Sequence, residues 1–284
     1  MIIEKAGKIV EGLYALADID LPAWLVTAET PALFDAGITF MGPAYLEEIR
    51  RVLGDENRLR WLFITHAHFD HSGTAPYLKR RIPGLKVAAS RLASEIFKKP
   101  NAVSLIQSLS RDYEEQHKTL FGSEDIRFDS LEVDRILEDG ETVDLGGGWT
   151  FSVIATPGHT RDGVSFYFPN IKALICGEAA GVPDRNFKIH PEFLASYKDY
   201  VASLEKLAAL EVEIIMLSHY CILTGAEARS YLKRSLESTF AFSGRIRSYL
   251  AEAGGAWVAE WGRAPARYGG DGALVVFLKA RGRQ

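Results

Sequence analysis

Short apolar runs and amphipathic segments alternate along the chain and predict a regular succession of strands and helices. Apolar runs bounded by turn residues indicate strands, and apolar residues at three- and four-residue intervals indicate helices. The first three predicted strands are expected to form an antiparallel meander. In the first half, the predicted elements are strands at Ile9 to Leu16, Ala23 to Thr27 and Ala32 to Asp35, a helix at Ala44 to Leu53, a strand at Arg60 to Thr65, a helix at Thr74 to Arg81 and a strand at Lys86 to Ala89.

A second half begins at about Leu131 and repeats this alternation. Two such halves predict two sheets, each covered by helices. The elements predicted in the second half are strands at Trp149 to Ala155, Gly163 to Phe168 and Ala173 to Cys176, a helix at Glu192 to Ala209 and a strand at Glu213 to Leu217.

The C-terminal region predicts a long helix followed by a hairpin. Thr224-x-x-Glu227 has the form of a capping box, and an apolar stripe continues from there to about Leu250. The tail is expected to be a hairpin on the sheet edge or a subunit contact. Its features are Trp257, Trp261, a turn at Gly269-Gly270-Asp271-Gly272 and a strand at Leu274 to Leu278.

Composition and charge narrow the class of protein. The hydrophobic content of 47% and the charged content of 25% are typical of a globular protein. A formal charge of -4 provides no general attraction for phosphate backbones, so nucleic acid is not expected as a partner. No apolar run is long enough to span a membrane, and the start at Met1 has no signal-peptide pattern. Two cysteines far apart in the sequence favour a reducing cytoplasm.

A dense cluster of metal-binding residue types follows the strand at Arg60 to Thr65. The sequence reads Thr-His-Ala-His-Phe-Asp-His from Thr65 to His71, with three of the chain's seven histidines. Alternate residues of an extended segment point to the same side, so His66 and His68 are placed to face one metal ion. Asp70 and His71 follow on a turn, within reach of a second ion.

Three further candidate ligands also follow predicted strands. They are His159 after the strand ending at Ala155, Glu178 after the run Ala173 to Cys176, and His219 after the strand ending at Leu217. Side chains at several strand ends converge on one edge of a sheet, where α/β sites are usually built.

The set His66-x-His68-x-Asp70-His71, His159, Glu178 and His219 resembles the metallo-β-lactamase superfamily, and within it the glyoxalase II-like hydrolases. The resemblance implies an α/β four-layer αββα sandwich spanning residues 1–223, with a C-terminal helix and hairpin at residues 224–284 packed on the same domain. It assigns His66, His68 and His159 to a first metal, and Asp70, His71 and His219 to a second. Asp35 matches the family's early aspartate, which orients a ligand histidine.

Glu178 departs from the pattern of the resembled family, which normally has Asp at this position. The extra methylene moves the carboxylate outward by about 1.5 Å. The backbone therefore retreats, the metals sit differently, or Glu178 binds only one of them. The common zinc β-lactamases have Cys at this position, which disfavours β-lactam hydrolysis.

Two segments outside the ligand motifs are candidates for the substrate pocket. The interval from His71 to His159 is 159 - 71 = 88 residues, and its surplus at residues 91–122 predicts a helical insert. This insert is either a lid or wall of the pocket or a surface elaboration. In glyoxalase II-like relatives, helices after the last ligand contribute to the pocket, which makes Tyr231, Phe240 and Phe242 candidate lining residues.

The chemistry expected from this resemblance is hydrolysis by a metal-bound hydroxide at two divalent ions. Zinc is the first choice, and iron, manganese or nickel the second, because histidine and carboxylate accept all of them. Asp70 is expected to orient the nucleophile or relay a proton. A small-molecule thioester is the leading substrate, since a thiolate leaves without a strong general acid. The long insert is similar to that of the quinolone-signal response thioesterase branch.

Other functions are compatible with the same residues. They are lactone or phosphodiester hydrolysis, oxygen chemistry at a single iron as in persulfide dioxygenases, and a metal-bearing protein that only binds or regulates. A homodimer is the assembly to test.

Overall fold

The computed structural model describes residues 1–252, 258–263 and 274–278. The strands in chain order are β1 (Ile2–Ile3), β2 (Gly7–Val10), β3 (Leu13–Leu16), β4 (Ala23–Val26), β5 (Ala32–Phe34), β6 (Trp61–Phe63), β7 (Lys86–Ser90), β8 (Arg135–Leu137), β9 (Thr142–Gly146), β10 (Trp149–Ala155), β11 (Val164–Phe168), β12 (Ala173–Ile175), β13 (Val182–Pro183), β14 (Ile189–His190), β15 (Ile214–Met216), β16 (Ile222–Thr224), β17 (Val258–Arg263) and β18 (Leu274–Leu278).

The α-helices are α1 (Gly42–Leu53), α2 (Phe69–Ser72), α3 (Ala75–Arg81), α4 (Arg91–Ile96), α5 (Pro100–Gln116), α6 (Lys118–Phe121), α7 (Tyr197–Ala208) and α8 (Ala226–Glu252). Short 3₁₀ helices lie at Thr39–Met41, Glu56–Arg58 and Gly177–Ala180. Among the described helices, none is both long and apolar enough to cross a bilayer.

Two large mixed sheets form the centre of the fold. One has the order β2-β3-β4-β5-β6-β7-β8 and the other the order β1-β16-β15-β12-β11-β10-β9. The predicted meander is confirmed, because β2 to β5 pair antiparallel in sequence. The sheets do not divide the chain cleanly, since β1 joins the second sheet by pairing with β16, and β8 closes the first sheet beside β7.

Three apolar layers hold the sheets and helices together. Between the sheets, buried aromatic rings interlock with centroid separations of 4.9 to 6.1 Å, and each fully buried ring contributes about 1.5–3 kcal/mol. The outer face of the first sheet packs on α1 and α3, and that of the second sheet packs on α7 and α8. The predicted four-layer αββα sandwich is therefore confirmed. The rings between the sheets belong to Phe34, Phe63, Phe151, Phe166 and Phe168.

The insert is helical, as predicted, but it consists of three pieces, α4 to α6. Pro100 starts α5, where its missing N–H costs nothing. The predicted single strand at Ile9 to Leu16 is wrong, because Gly12 has φ of 80° and turns the chain between β2 and β3.

Two predicted helix starts are also wrong. The helix expected from Glu192 begins at Tyr197, because the Ser196 hydroxyl accepts the Asp199 N–H at 3.2 Å and caps it there. Thr224 is not a helix cap: it ends β16, and its hydroxyl donates to the Met1 carbonyl at 3.2 Å.

At the C-terminal end, β17 and β18 pair antiparallel as predicted. Within the described residues they pair with each other and with neither large sheet, so of the two expected places the sheet edge is not supported and the subunit contact stays a prediction. Trp257 and the turn at Gly269 to Gly272 lie outside the described residues.

Candidate metal centre

Seven candidate ligands from four different segments come together at one edge of the two sheets. His66 and His68 follow β6, and Asp70 and His71 lie on α2, a single helical turn where a plain turn was expected. Their ligand atoms form two sets, and within each set all the atoms lie within 4.8 Å of one another. One set is His66, His68 and His159, and the other is Asp70, His71, Glu178 and His219.

The Glu178 carboxylate faces both sets. Its Oε1 lies 2.7 Å from His71 Nε2 and 3.0 Å from His219 Nε2. Its Oε2 lies 3.4 Å from His66 Nε2 and 3.7 Å from His159 Nε2. Gly177 makes this possible, because its φ of 52° turns the chain from the end of β12 into the 3₁₀ helix that carries Glu178.

Two atoms in the middle of this cluster have no hydrogen-bond partner among the described residues. They are His66 Nε2 and Glu178 Oε2, and both are buried. An unsatisfied buried polar atom costs about 1–3 kcal/mol. Bound cations would satisfy both atoms, and nitrogen and carboxylate donors suit zinc, iron, manganese or nickel. The two clusters therefore fit a dinuclear metal site, with the kind of metal left open by the donor set.

Asp35 fixes one histidine of each set. Its Oδ2 lies 2.9 Å from His71 Nδ1 and accepts the Thr65 hydroxyl at 2.9 Å, while its Oδ1 accepts the backbone N–H of Thr65 at 2.8 Å. Because that hydroxyl proton points to Asp35, Thr65 Oγ1 accepts from His66 Nδ1 at 3.0 Å, which leaves His66 Nε2 free to bind a metal. Asp35 has φ of 58°, a backbone region that aspartate tolerates better than most residues.

His159 and His219 are oriented by groups that the sequence did not reveal. His159 Nδ1 donates to the Glu192 carbonyl at 2.6 Å, and His219 Nδ1 donates to the Asp20 carbonyl at 3.0 Å. Backbone carbonyls carry no residue-type signal, so only the fold identifies them. Asp162 was also missed. Its buried Oδ2 accepts the Ala67 N–H at 2.8 Å and thereby shapes the loop between His66 and His68.

The two sets differ in their affinity for protons. Burial lowers the pKa of His66 and of His68. Burial also opposes protonation of His71, but the charges of Glu178 and Asp35 outweigh it and raise its pKa well above the usual range. The pKa of His219 is raised because its hydrogen bond to Glu178 outweighs burial. Burial raises the pKa of Glu178, but neighbouring His71 and His66 bring it well below its usual value.

Two cavities flank the metal-binding residues. A polar cavity of about 570 Å³ opens on the side of Asp70 and His219, with Arg185 and Tyr220 in its wall. An apolar cavity of about 580 Å³ opens on the side of His68. Phe69 lies in the wall of both.

The three candidate pocket residues after the last ligand do not lie in the walls of these cavities. Tyr231 is buried in the core, and its hydroxyl donates to the Gly181 carbonyl at 3.1 Å. Phe240 is exposed to solvent, and Phe242 packs on Phe193 with ring centroids 5.9 Å apart. The assignment of Tyr231, Phe240 and Phe242 to a substrate pocket stays a prediction, which these two cavities do not support.

The αββα sandwich and the two sets of histidine and carboxylate ligands at one edge of its sheets are the features of a metal-dependent protein class. The chain belongs to the Metallo-beta-lactamase superfamily, whose sequence pattern it matches over residues 22–219.

Similar sequences include hydrolases of the same superfamily. The probable metallo-hydrolase YflN of Bacillus subtilis is 26% identical over 70% of this chain and 79% of its own length. A hydroxyacylglutathione hydrolase of Acidiphilium cryptum is 28% identical over 76% of this chain and 70% of its own. A probable metallo-hydrolase of Burkholderia pseudomallei is 31% identical, but the alignment spans only 39% of this chain and 32% of that protein.

Solved structures support the fold. A metallo-beta-lactamase from Cronobacter sakazakii superposes with a TM-score of 0.63 at 22% identity, covering 88% of this chain and 96% of its own. An archaeal superfamily protein from Sulfolobus tokodaii gives a TM-score of 0.59 at 20% identity, covering 80% and 85%. At such identities the likeness establishes the fold alone.

Proposed function

We propose that this protein is a dinuclear metal-dependent hydrolase that cleaves a small-molecule thioester. The observation that carries the proposal is the position of Glu178, whose two carboxylate oxygens each face a separate set of histidines. A carboxylate shared in this way is suited to two adjacent cations rather than one.

The residues would hold the ions in two sets. His66, His68 and His159 would bind one ion, while Asp70, His71 and His219 would bind the other, with Glu178 between them. When bound, a pair of such ions lowers the pKa of a coordinated water from about 15.7 to near 7 and polarises the scissile carbonyl.

Asp70 is the ligand best placed to handle protons during the reaction. Unlike His66 and Glu178, which are sealed from solvent, Asp70 lies in the wall of the polar cavity. Its Oδ2 lies 3.9 Å from His71 Nε2 and 3.7 Å from His219 Nε2. Its carboxylate therefore orients the attacking water and accepts its proton at the edge of the cavity.

Two considerations favour a thioester over other substrates. A thiolate, with a pKa near 8.5 in its free form, leaves without a strong general acid. In addition, the Acidiphilium relative is named for hydrolysis of hydroxyacylglutathione, in which an acyl group is carried on a thiol. Membership of the quinolone-signal response thioesterase branch remains a finer prediction within the same reaction class.

The test is a substrate panel on protein loaded with zinc or iron. We expect release of free thiol from acyl thioesters, followed with a thiol-reactive dye, at rates exceeding those for lactones and phosphodiesters. Oxygen consumption with glutathione persulfide at one iron per chain would replace the hydrolase assignment by a persulfide dioxygenase. Absence of turnover on every substrate in metal-replete protein would leave a binding or regulatory role.

A further inference from the structure

The insert forms one wall of the apolar cavity beside His68. Four residues of α5 line it at helical spacing, so they occupy one face of the helix. Leu194 and Ala195 also line the cavity, as do His68, itself a candidate metal ligand, and its neighbour Phe69. Thr160, Arg161 and Asp162 are the polar members of the wall. The α5 residues are Ala102, Leu105, Ile106 and Leu109.

Several of these apolar side chains are exposed to solvent. Leu105 is 58% exposed, Leu109 45% and Leu194 70%. Clustered apolar exposure of this kind marks a binding surface more often than isolated exposed leucines do. The cavity volume of about 580 Å³ falls in the range of small-molecule sites.

The wall is held firmly in place by the rest of the fold. Ile106 and Ser110 of α5 are buried against the sandwich. The Gln107 amide donates to the Phe128 carbonyl at 2.8 Å, and the Thr39 hydroxyl donates to Glu114 at 2.5 Å. The cavity is therefore preformed, which reduces the entropic cost of binding a ligand.

We propose that this cavity binds the hydrocarbon chain of the acyl group, so that the protein prefers medium- or long-chain acyl thioesters over acetyl thioesters. The inference rests on the proposed thioesterase function. With the chain against α5, the thioester carbonyl lies beside His68 and the thiol portion extends past Phe69 into the polar cavity, which contains Arg185, His190 and Tyr220.

The experiment compares kcat/KM for straight-chain N-acetylcysteamine thioesters of increasing length on the metal-loaded protein. Each methylene buried is expected to raise kcat/KM by up to about fourfold until the cavity is full. In the Leu105→Glu and Leu109→Glu variants, the ratio of octanoyl to acetyl kcat/KM falls at least about tenfold.

Two leucines of the same insert supply matched controls. Leu120 is 58% exposed, as Leu105 is, and Leu92 is 45% exposed, as Leu109 is, yet neither lies in the cavity wall. Leu120→Glu and Leu92→Glu should leave the ratio within about twofold of the native value. Equal losses in the controls, or a ratio unchanged in Leu105→Glu, overturn the proposal. So does a Leu105→Glu variant that changes only the oligomeric state, because the leucines would then form a subunit contact.

A binding measurement separates this inference from the proposed reaction. An S-octyl thioether of N-acetylcysteamine, which has no carbonyl to attack, is titrated calorimetrically into zinc-loaded native protein and Leu105→Glu. Binding that is lost in the variant supports the chain site even if no thioester is hydrolysed. Thioester hydrolysis that does not vary with chain length overturns the chain site and leaves the thioesterase standing. Absence of thioether binding to the native protein also overturns it.

Discussion

His66 Nε2 and Glu178 Oε2 face each other at 3.4 Å in the buried centre of the site, and neither has a hydrogen-bond partner among the described residues. His66 Nδ1–H donates a hydrogen bond to Thr65 Oγ1, and burial lowers the pKa of His66, so its Nε2 presents a lone pair. Two acceptors that oppose each other at this distance repel unless a cation lies beside them.

The first prediction concerns the length of the Glu178 side chain. In Glu178→Asp the carboxylate retreats by about 1.5 Å from atoms now 2.7 to 3.7 Å away, so it no longer reaches both sets. We expect elemental analysis to show loss of the second metal, and kcat to fall about 10- to 100-fold. The exposed Glu205→Asp is the control. Two metals with native turnover in Glu178→Asp would show that the backbone adjusts freely.

A second prediction tests the first ligand set alone. His68→Ala removes one of three nitrogens, so metal content should fall to about one ion per chain and turnover should fall with it. His117→Gln changes a histidine outside both sets and should keep the native metal content. Stoichiometric metal and normal turnover in His68→Ala would remove that residue from the site.

The third prediction concerns protons released when metal binds. The pKa of His71 is raised well above the usual range and that of His219 is also raised, so the metal-free protein keeps protons there to higher pH than on His66 and His68, whose pKa values are lowered by burial. Metal must displace the protons of the second set, so its affinity rises with pH by about tenfold per unit for each proton released.

The measurement is calorimetry of zinc binding to His68→Ala, which isolates the second set, in two buffers of different ionisation enthalpy. We expect net proton release at pH 6.5 that declines as the pH is raised. A heat of binding that is the same in both buffers would contradict the assigned protonation.

The fourth prediction concerns Asp35. Asp35→Ala leaves the Thr65 N–H and His71 Nδ1 without their acceptor and places alanine at φ of 58°, so the free energy of unfolding should fall by about 3 kcal/mol in urea titrations. Asp35→Asn tolerates this backbone better and should lose less stability. Asp129→Asn, which removes an exposed pairing with Arg80, should cost less than about 1 kcal/mol. Equal losses of unfolding free energy in the three variants would contradict the role of Asp35 as the acceptor for Thr65 and His71.

The sequence was a good guide wherever a side chain carries the signal. His159, Glu178 and His219 each follow a strand, and strand ends meet at one sheet edge, so their convergence was predictable. The orientation of Glu178 was not, because it depends on the left-handed backbone of Gly177. The hydrogen bonds to the carbonyls of Glu192 and Asp20 could not be predicted either, since any residue type offers the same backbone acceptor.

The pairing of strands far apart in the sequence was also not predicted. Strands β1 and β8 are short. Strand β1 pairs with β16 near the other end of the chain, and β8 pairs with β7 across the helical insert, which periodicity does not reveal. Similarly, the apolar stripe predicted for α8 did not reveal which neighbours Tyr231 packs on.

Helix α5 lies between β7 and β8 in the sequence, next to the edge strand of the first sheet. Every candidate metal ligand comes from another segment. Helix α5 nevertheless contributes Leu105 to the apolar cavity and Tyr113 to the polar one. The α5 wall of the proposed acyl-chain site and the candidate metal ligands therefore lie on separate segments of the chain. If the acyl-chain proposal holds, substitutions on the cavity face of α5 change which substrates are accepted without altering a metal ligand.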